Sequence, residues 1–266
     1  MNNIFDIKRF GNYCLYDLRR AKNNYALSLL IMGLIPVILY IVFQFVSLIS
    51  GSGVGEMPDE MKFMGIFIVY LVVIFGAGTK IYGNVTEKRA GSDFLMLPAS
   101  TFEKWLSMAL VVCVAVPLVL LVLLFASDGL MSLIFPISYG TRIFSLAPLQ
   151  EISSTLAEEG ISINLPAFLF LQWCLDILIF TLGAICFKKA KVAKTLLCLM
   201  GFGMVLSTLM VIIVGHNGGW YSNWFEEFED PVLAVSRINW FFSIAYTVLI
   251  GGLLGATYYR LRTLKH

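Results

Sequence analysis

Long apolar runs alternate with short charged connectors along the whole chain. Six of the runs reach the roughly 20 helical residues needed to cross a hydrocarbon core of about 30 Å. They lie near Leu27–Ser50, Phe63–Tyr82, Leu106–Ala126, Ala167–Phe187, Thr195–Gly215 and Asn239–Tyr259. Each is apolar nearly all round, without the strict alternation of a barrel strand. Lipid offers no partner to an open backbone group, so these runs are expected to be helices. Ahead of the first run, Ile7, Phe10, Cys14, Leu18, Ala21 and Tyr25 recur at spacings of three and four, with Asp6, Lys8, Arg9, Arg19, Arg20 and Lys22 on the remaining arc. That pattern predicts an amphipathic helix over residues 1–26, lying on the cytoplasmic membrane face. Such a helix serves either as a docking surface or as a basic anchor on anionic lipid. The expected fold class is an all-α polytopic membrane protein of six transmembrane helices, with residues 1–266 forming a single transmembrane domain.

Composition agrees with that reading. The chain is 59% hydrophobic and only 14% charged, against roughly 25% charged in a soluble domain, and its mean hydropathy is +0.84. The small net charge of +2 conceals a separation of signs. Of the Lys and Arg residues, only Lys62, Arg142 and Arg237 fall on one side of the six runs; all the others fall on the opposite side. By the positive-inside tendency, both termini are then cytoplasmic. The acids agree, since Glu56, Asp59, Glu60, Asp128, Glu151, Glu158, Glu159, Glu226, Glu227, Glu229 and Asp230 all fall outside.

Pro36 and Pro117 lie deep in the first and third runs. Each removes a backbone hydrogen bond and is expected to kink its helix. Ser127–Pro166 contains apolar pieces too short to cross and reads as outer-surface structure or a re-entrant segment. The outer loop Asn217–Ile238 carries Trp220, Tyr221, Trp224, Phe225 and Phe228, a stripe suited to the membrane interface or to a gate. Small residues at Gly203 and Ser207, and at Gly251, Gly252, Gly255 and Ala256, allow close helix approach within one subunit or between two.

Two stretches carry candidate function. The connector Glu87–Trp105 is too polar for lipid and too apolar at Phe94–Leu97 for a plain solvated loop. Pro98 breaks it, and Ser100 or Thr101 is placed to cap a new helix with Glu103 or Lys104 in its first turn. It reads either as a docking segment for a soluble partner or as an interfacial loop with Phe94, Leu95 and Leu97 on the headgroups. In the fourth run, Gln172 and Asp176 share a helix face at mid-depth. A carboxylate there costs at least about 2.5 kcal/mol on insertion scales. It belongs to a substrate path or proton-responsive site, or it makes a structural hydrogen bond to a neighbouring helix.

Other chemistry is missing. His216 and His266 lie far apart in sequence, and the chain has no Gly-rich phosphate loop, metal-ligand spacing or nucleophile elbow. The five cysteines lie in the runs or on the inner side, which argues against disulfides. No basic, aromatic-interleaved patch supports nucleic-acid binding.

The six-span layout, the amphipathic N-terminal helix and the outer aromatic segment resemble the permease subunit of small bacterial ABC-2-type transporters. In detail the resemblance rests on Thr86–Lys104, which reads Thr-Glu-Lys-Arg-Ala-Gly-Ser-Asp-Phe-Leu-Met-Leu-Pro-Ala-Ser-Thr-Phe-Glu-Lys. This is similar to the coupling region of those permeases. The resemblance implies a multi-pass protein of the bacterial cytoplasmic membrane, not catalytic by itself. It would pair with a second permease subunit, identical or related, and with a separate ABC ATPase that carries ATP and Mg. The export substrate would be a peptide, a drug or a lipid-like molecule. Carried over, Glu87, Lys88, Arg89, Asp93, Leu97, Pro98, Ala99, Ser100 and Glu103 would form the ATPase-coupling element. The competing expectation is a multi-pass protein with no ATPase partner, acting in immunity, stress or scaffolding.

Overall fold

A computed structural model describes residues 5–51, 53–87, 91, 94, 96–143, 165–216 and 231–263. Every regular element among them is helical. In chain order these are α1 (Ile7–Gly33), α2 (Ile35–Ile49), α3 (Asp59–Tyr82) and, after a short turn over Gly83–Thr86, α4 (Thr101–Leu110). A wide turn over Val111–Ala115 leads into α5 (Val116–Ile134), followed by α6 (Pro136–Tyr139), α7 (Leu165–Cys186), α8 (Lys191–His216) and α9 (Pro231–Thr263). Among the described residues, five helices are long and apolar enough to cross a membrane, or six if the bent pair α1–α2 counts as one span. The chain is thus a multi-pass, all-helical membrane protein.

The two prolines act differently. Pro36 has no N–H for the carbonyl of Met32, and the chain bends by 41° between α1 and α2. The N–H of Leu34 bridges the break, shared between the carbonyls of Leu30 and Ile31. Pro117 causes no such bend. The preceding turn widens instead, with the N–H of Val116 donating to the carbonyl of Val111 five residues back, so that Thr101–Ile134 passes as one span. Inserting one residue into the turn relieves the clash that proline would make with the carbonyl four residues earlier.

The N-terminal segment differs from the surface helix expected over residues 1–26. It is continuous to Gly33 and packs into the bundle against α3, α4 and α5. Its buried line is Tyr13, Asp17, Ala21, Tyr25, Leu29 and Gly33, while Ile7 and Leu18 of the expected stripe are exposed. A spacing of four overshoots each turn slightly, so the line winds around the helix and passes from one neighbour to the next. The Tyr25 side chain lies against Gly76 of α3, and Gly33 lies against Leu123 of α5.

α7 forms the centre of the bundle, packing on α3, α8 and α9. Half of its apolar window is buried, against 6% for α8 and for the crossing part of α9, whose apolar side chains face outward. Lipid tails solvate those chains as well as another helix would, so helices associate through close packing and polar ties rather than apolar burial. The contact between α3 and α7 shows this most clearly. Gly78 sits on the backbone of Thr181, where a Cβ would come within 2.8 Å of the Thr181 Cα. The core around this contact includes Val73, Ala77, Val112, Ile177 and Ile185.

Candidate functional site

At the end of the bundle that carries Glu87, Glu103 and Lys191, the first turns of α1 and α4 meet. Each needs acceptors for its free N–H groups. The Asp6 carboxylate caps α1, accepting from the N–H of Lys8 at 2.9 Å and of Arg9 at 3.2 Å. Ser100 caps α4 in a reciprocal box. Its hydroxyl accepts from the Glu103 N–H at 3.2 Å, and its own N–H donates to Glu103 Oε2 at 2.8 Å. The expected helix start at Ser100 with Glu103 in the first turn is therefore observed.

Glu103 also reaches across to α1. Arg9 donates from Nε to Oε2 at 2.8 Å and from Nη2 to Oε1 at 2.8 Å, while the Asp6 N–H donates to Oε1 at 3.0 Å. One fully buried carboxylate thus takes up donors from two helix starts and a guanidinium. This bidentate geometry is the strong form of such a bond.

The neighbouring residues extend the junction. Lys104 is buried and donates to the Phe94 carbonyl at 2.8 Å, its ammonium 5.2 Å from the Phe94 ring centre. Asp17, 1% exposed, accepts from the hydroxyls of Tyr82 at 2.7 Å and Ser107 at 2.8 Å, joining α1, α3 and α4. Trp105 donates to the Leu254 carbonyl at 2.9 Å and to Thr257 at 3.0 Å, which brings in α9. The ammonium of Lys191, at the start of α8, donates to the carbonyl of Gly83. α4 is thereby tied to α1 and α9 directly, and to α3 through Asp17.

The expected coupling residues divide accordingly. Glu87 and Pro98 are exposed, and Leu97, Ala99 and Ser100 are half-buried. Glu103 is wholly inside and committed to Arg9, so it presents no surface to a partner. Phe94 lies in the core, away from any headgroup surface. Lys88, Arg89, Asp93 and Leu95 lie outside the described residues, as do residues 144–164 and 217–230 of the two outer segments.

At mid-depth the structure brings Gln172 and Asp176 together. Asp176 Oδ2 accepts from Gln172 at 2.9 Å and from the Tyr70 hydroxyl of α3 at 2.6 Å. Tyr70 in turn meets Trp173 edge-on, with ring centres 5.7 Å apart. The carboxamide oxygen of asparagine can still accept both bonds, so Asp176→Asn is expected to cost no more than about 1 kcal/mol. Asp176→Leu, which strands the Tyr70 hydroxyl, is expected to cost about 2 kcal/mol or more. Unfolding in one fixed detergent compares the two; equal losses would mean that the hydrogen bond does not hold α3 to α7.

Three buried charges were not anticipated as such. Asp17 falls one position away from the stripe assigned to the N-terminal segment. The repeat Tyr13, Asp17, Ala21, Tyr25 at intervals of four was the available signal. At the far end, Asp128 accepts from the Tyr139 hydroxyl at 2.7 Å and the Ile143 N–H at 3.0 Å. Lys62 sits 4.7 Å from the centre of the same ring, paired with Asp59 at 2.7 Å. The sequence places both only by side of the membrane, which says nothing about burial.

No family model, curated protein or solved structure matches the chain.

Proposed function

We propose that this chain is the membrane-spanning permease subunit of an ATP-driven ABC-2-type exporter. A separate ATPase, carrying ATP and Mg, would dock on the end of the bundle formed by the first turn of α1 and the Glu87–Ser100 connector. The observation that carries the proposal is the bidentate Arg9–Glu103 clamp, whose ends are 94 positions apart in the chain. It joins the N-terminal helix, a candidate docking surface, to the connector that the family resemblance assigns to the ATPase, so a force applied to either moves both. Exposed Glu87, Met96 and Pro98 then supply contact surface, and Glu103 supplies the joint beneath it.

The test is co-purification of the full chain in detergent with the ABC ATPases of its own source. Glu87→Lys combined with Met96→Asp is expected to weaken association at least about tenfold, since a misplaced charge at an interface costs several kcal/mol. Unfolding of the variant should remain as in the parent. Failure of the parent chain to associate with any ATPase would overturn the proposal. Association that survives the double variant would move the contact elsewhere.

A further inference from the structure

Between the first turns of α1 and the connector lies an open cleft of about 590 Å³, with Leu97 and Pro98 forming the wall opposite the helix. Its size lies within the range of small-molecule sites. Along the helix wall, Lys8, Asn12 and Tyr16 are spaced four apart and therefore form one line of about two turns. All three are exposed, and among the described residues their polar ends make no hydrogen bond or ion pair. Their neighbours are already committed. Arg9 is bound to Glu103, Asp6 caps its own helix, and Tyr13 is buried.

An ammonium, a carboxamide and a phenol thus border a cleft whose remaining lining is Tyr13, Leu97 and Pro98, largely apolar, together with Arg9, held by Glu103, and Asp6, engaged in capping α1. That combination fits a ligand with an anionic, oxygen-rich head and an apolar continuation. We propose that this cleft binds the phosphate-bearing headgroup of an anionic phospholipid, with Lys8, Asn12 and Tyr16 as donors to its oxygens. A small soluble phosphate would leave the apolar walls wet, whereas a lipid covers them with its glycerol and first methylenes. The position suits a lipid as well. α1 runs from the cleft directly into the bundle, exposing Leu15 and Leu18 beside it, and tyrosines and basic residues favour the headgroup level. The inference does not rest on ATPase docking, and because both readings use Pro98 the binding experiment is run on the chain without ATPase.

The experiment uses the full chain in detergent and a fluorescent phosphatidylglycerol, followed by anisotropy, with phosphatidylcholine and glycerol phosphate as competitors. The parent is expected to hold phosphatidylglycerol against both. Lys8→Ala should weaken binding about fivefold, the loss expected for one cation at a charged lipid surface. Lys8→Ala with Tyr16→Phe should weaken it further. Lys22→Ala, which removes an exposed cation of α1 outside the cleft, should leave it unchanged. Unfolding measured on each variant confirms that the exposed substitutions leave the fold intact. Equal losses from Lys8→Ala and Lys22→Ala would overturn the site in favour of diffuse attraction. Competition by phosphatidylcholine at equal concentration would reduce it to ordinary lipid contact, and displacement by glycerol phosphate would reassign it to a soluble phosphate. Each of these results ends the proposal.

Discussion

Glu103→Ala is expected to loosen the start of α1 and to lower the stability of the whole chain by about 3 kcal/mol. The substitution removes the acceptor for Arg9 and for the N–H groups of Asp6 and Ser100. A lost helix cap alone costs about 1 kcal/mol, and a hydrogen bond to a charged group contributes about 1.5–3 kcal/mol. Water reaches Arg9, whose side chain is 40% exposed, and that keeps the total below the sum of the separate losses. Glu103→Gln should fall between alanine and the parent, because the amide oxygen still accepts from Ser100 while the charge is gone. Denaturant unfolding in one detergent gives the size of the loss. Limited proteolysis in the first turns of α1 shows where it falls. An alanine variant as stable as the parent, with α1 equally protected, would mean that the clamp contributes nothing.

Gly78→Val is expected to be at least as damaging, by a different route. No side chain fits where a Cβ would lie 2.8 Å from the Thr181 Cα and 3.0 Å from its nitrogen. The obstacle is backbone, which cannot rotate aside, so α3 and α7 must separate. Overpacking a filled core costs about 1–3 kcal/mol, and a clash between two backbones belongs at the upper end or beyond. Gly203→Ala provides the contrast, because nothing lies within 4 Å of a Cβ there. Alanine gains about 1 kcal/mol of helix propensity over glycine, so that variant should be as stable as the parent or more so. Parallel unfolding of the two variants decides the matter. Equal behaviour would contradict the close approach of α3 and α7.

How much of this was legible in the sequence follows from the range of each interaction. Run length reports the crossing helices because the bilayer imposes it locally, residue after residue. The Ser100–Glu103 box was legible because its two members are three residues apart. Arg9 as the partner of Glu103 was not, since nothing near either residue encodes a contact across 94 positions. Asp17 shows a subtler failure. Its helix carries two plausible apolar lines one position apart, and the tyrosines that mark the buried one count as polar or apolar with equal ease. Pro36 and Pro117 looked alike, yet one bends its helix and the other widens a turn. The difference lies in the neighbours that hold each helix in place.

The unbroken length of α1 has a mechanical consequence. A helix of 27 residues is a strut about 40 Å long. A tilt of about five degrees at the Arg9 end displaces the opposite end by about 3–4 Å over that length. There the rod finishes at the Leu34 elbow, and the next helix places Tyr40 2.6 Å from Ser138, beside the Tyr139 ring. A displacement at the Arg9 end would pass along α1 and then across the Leu34 bend before reaching the lock of tyrosine, lysine and aspartate at the far end of the bundle.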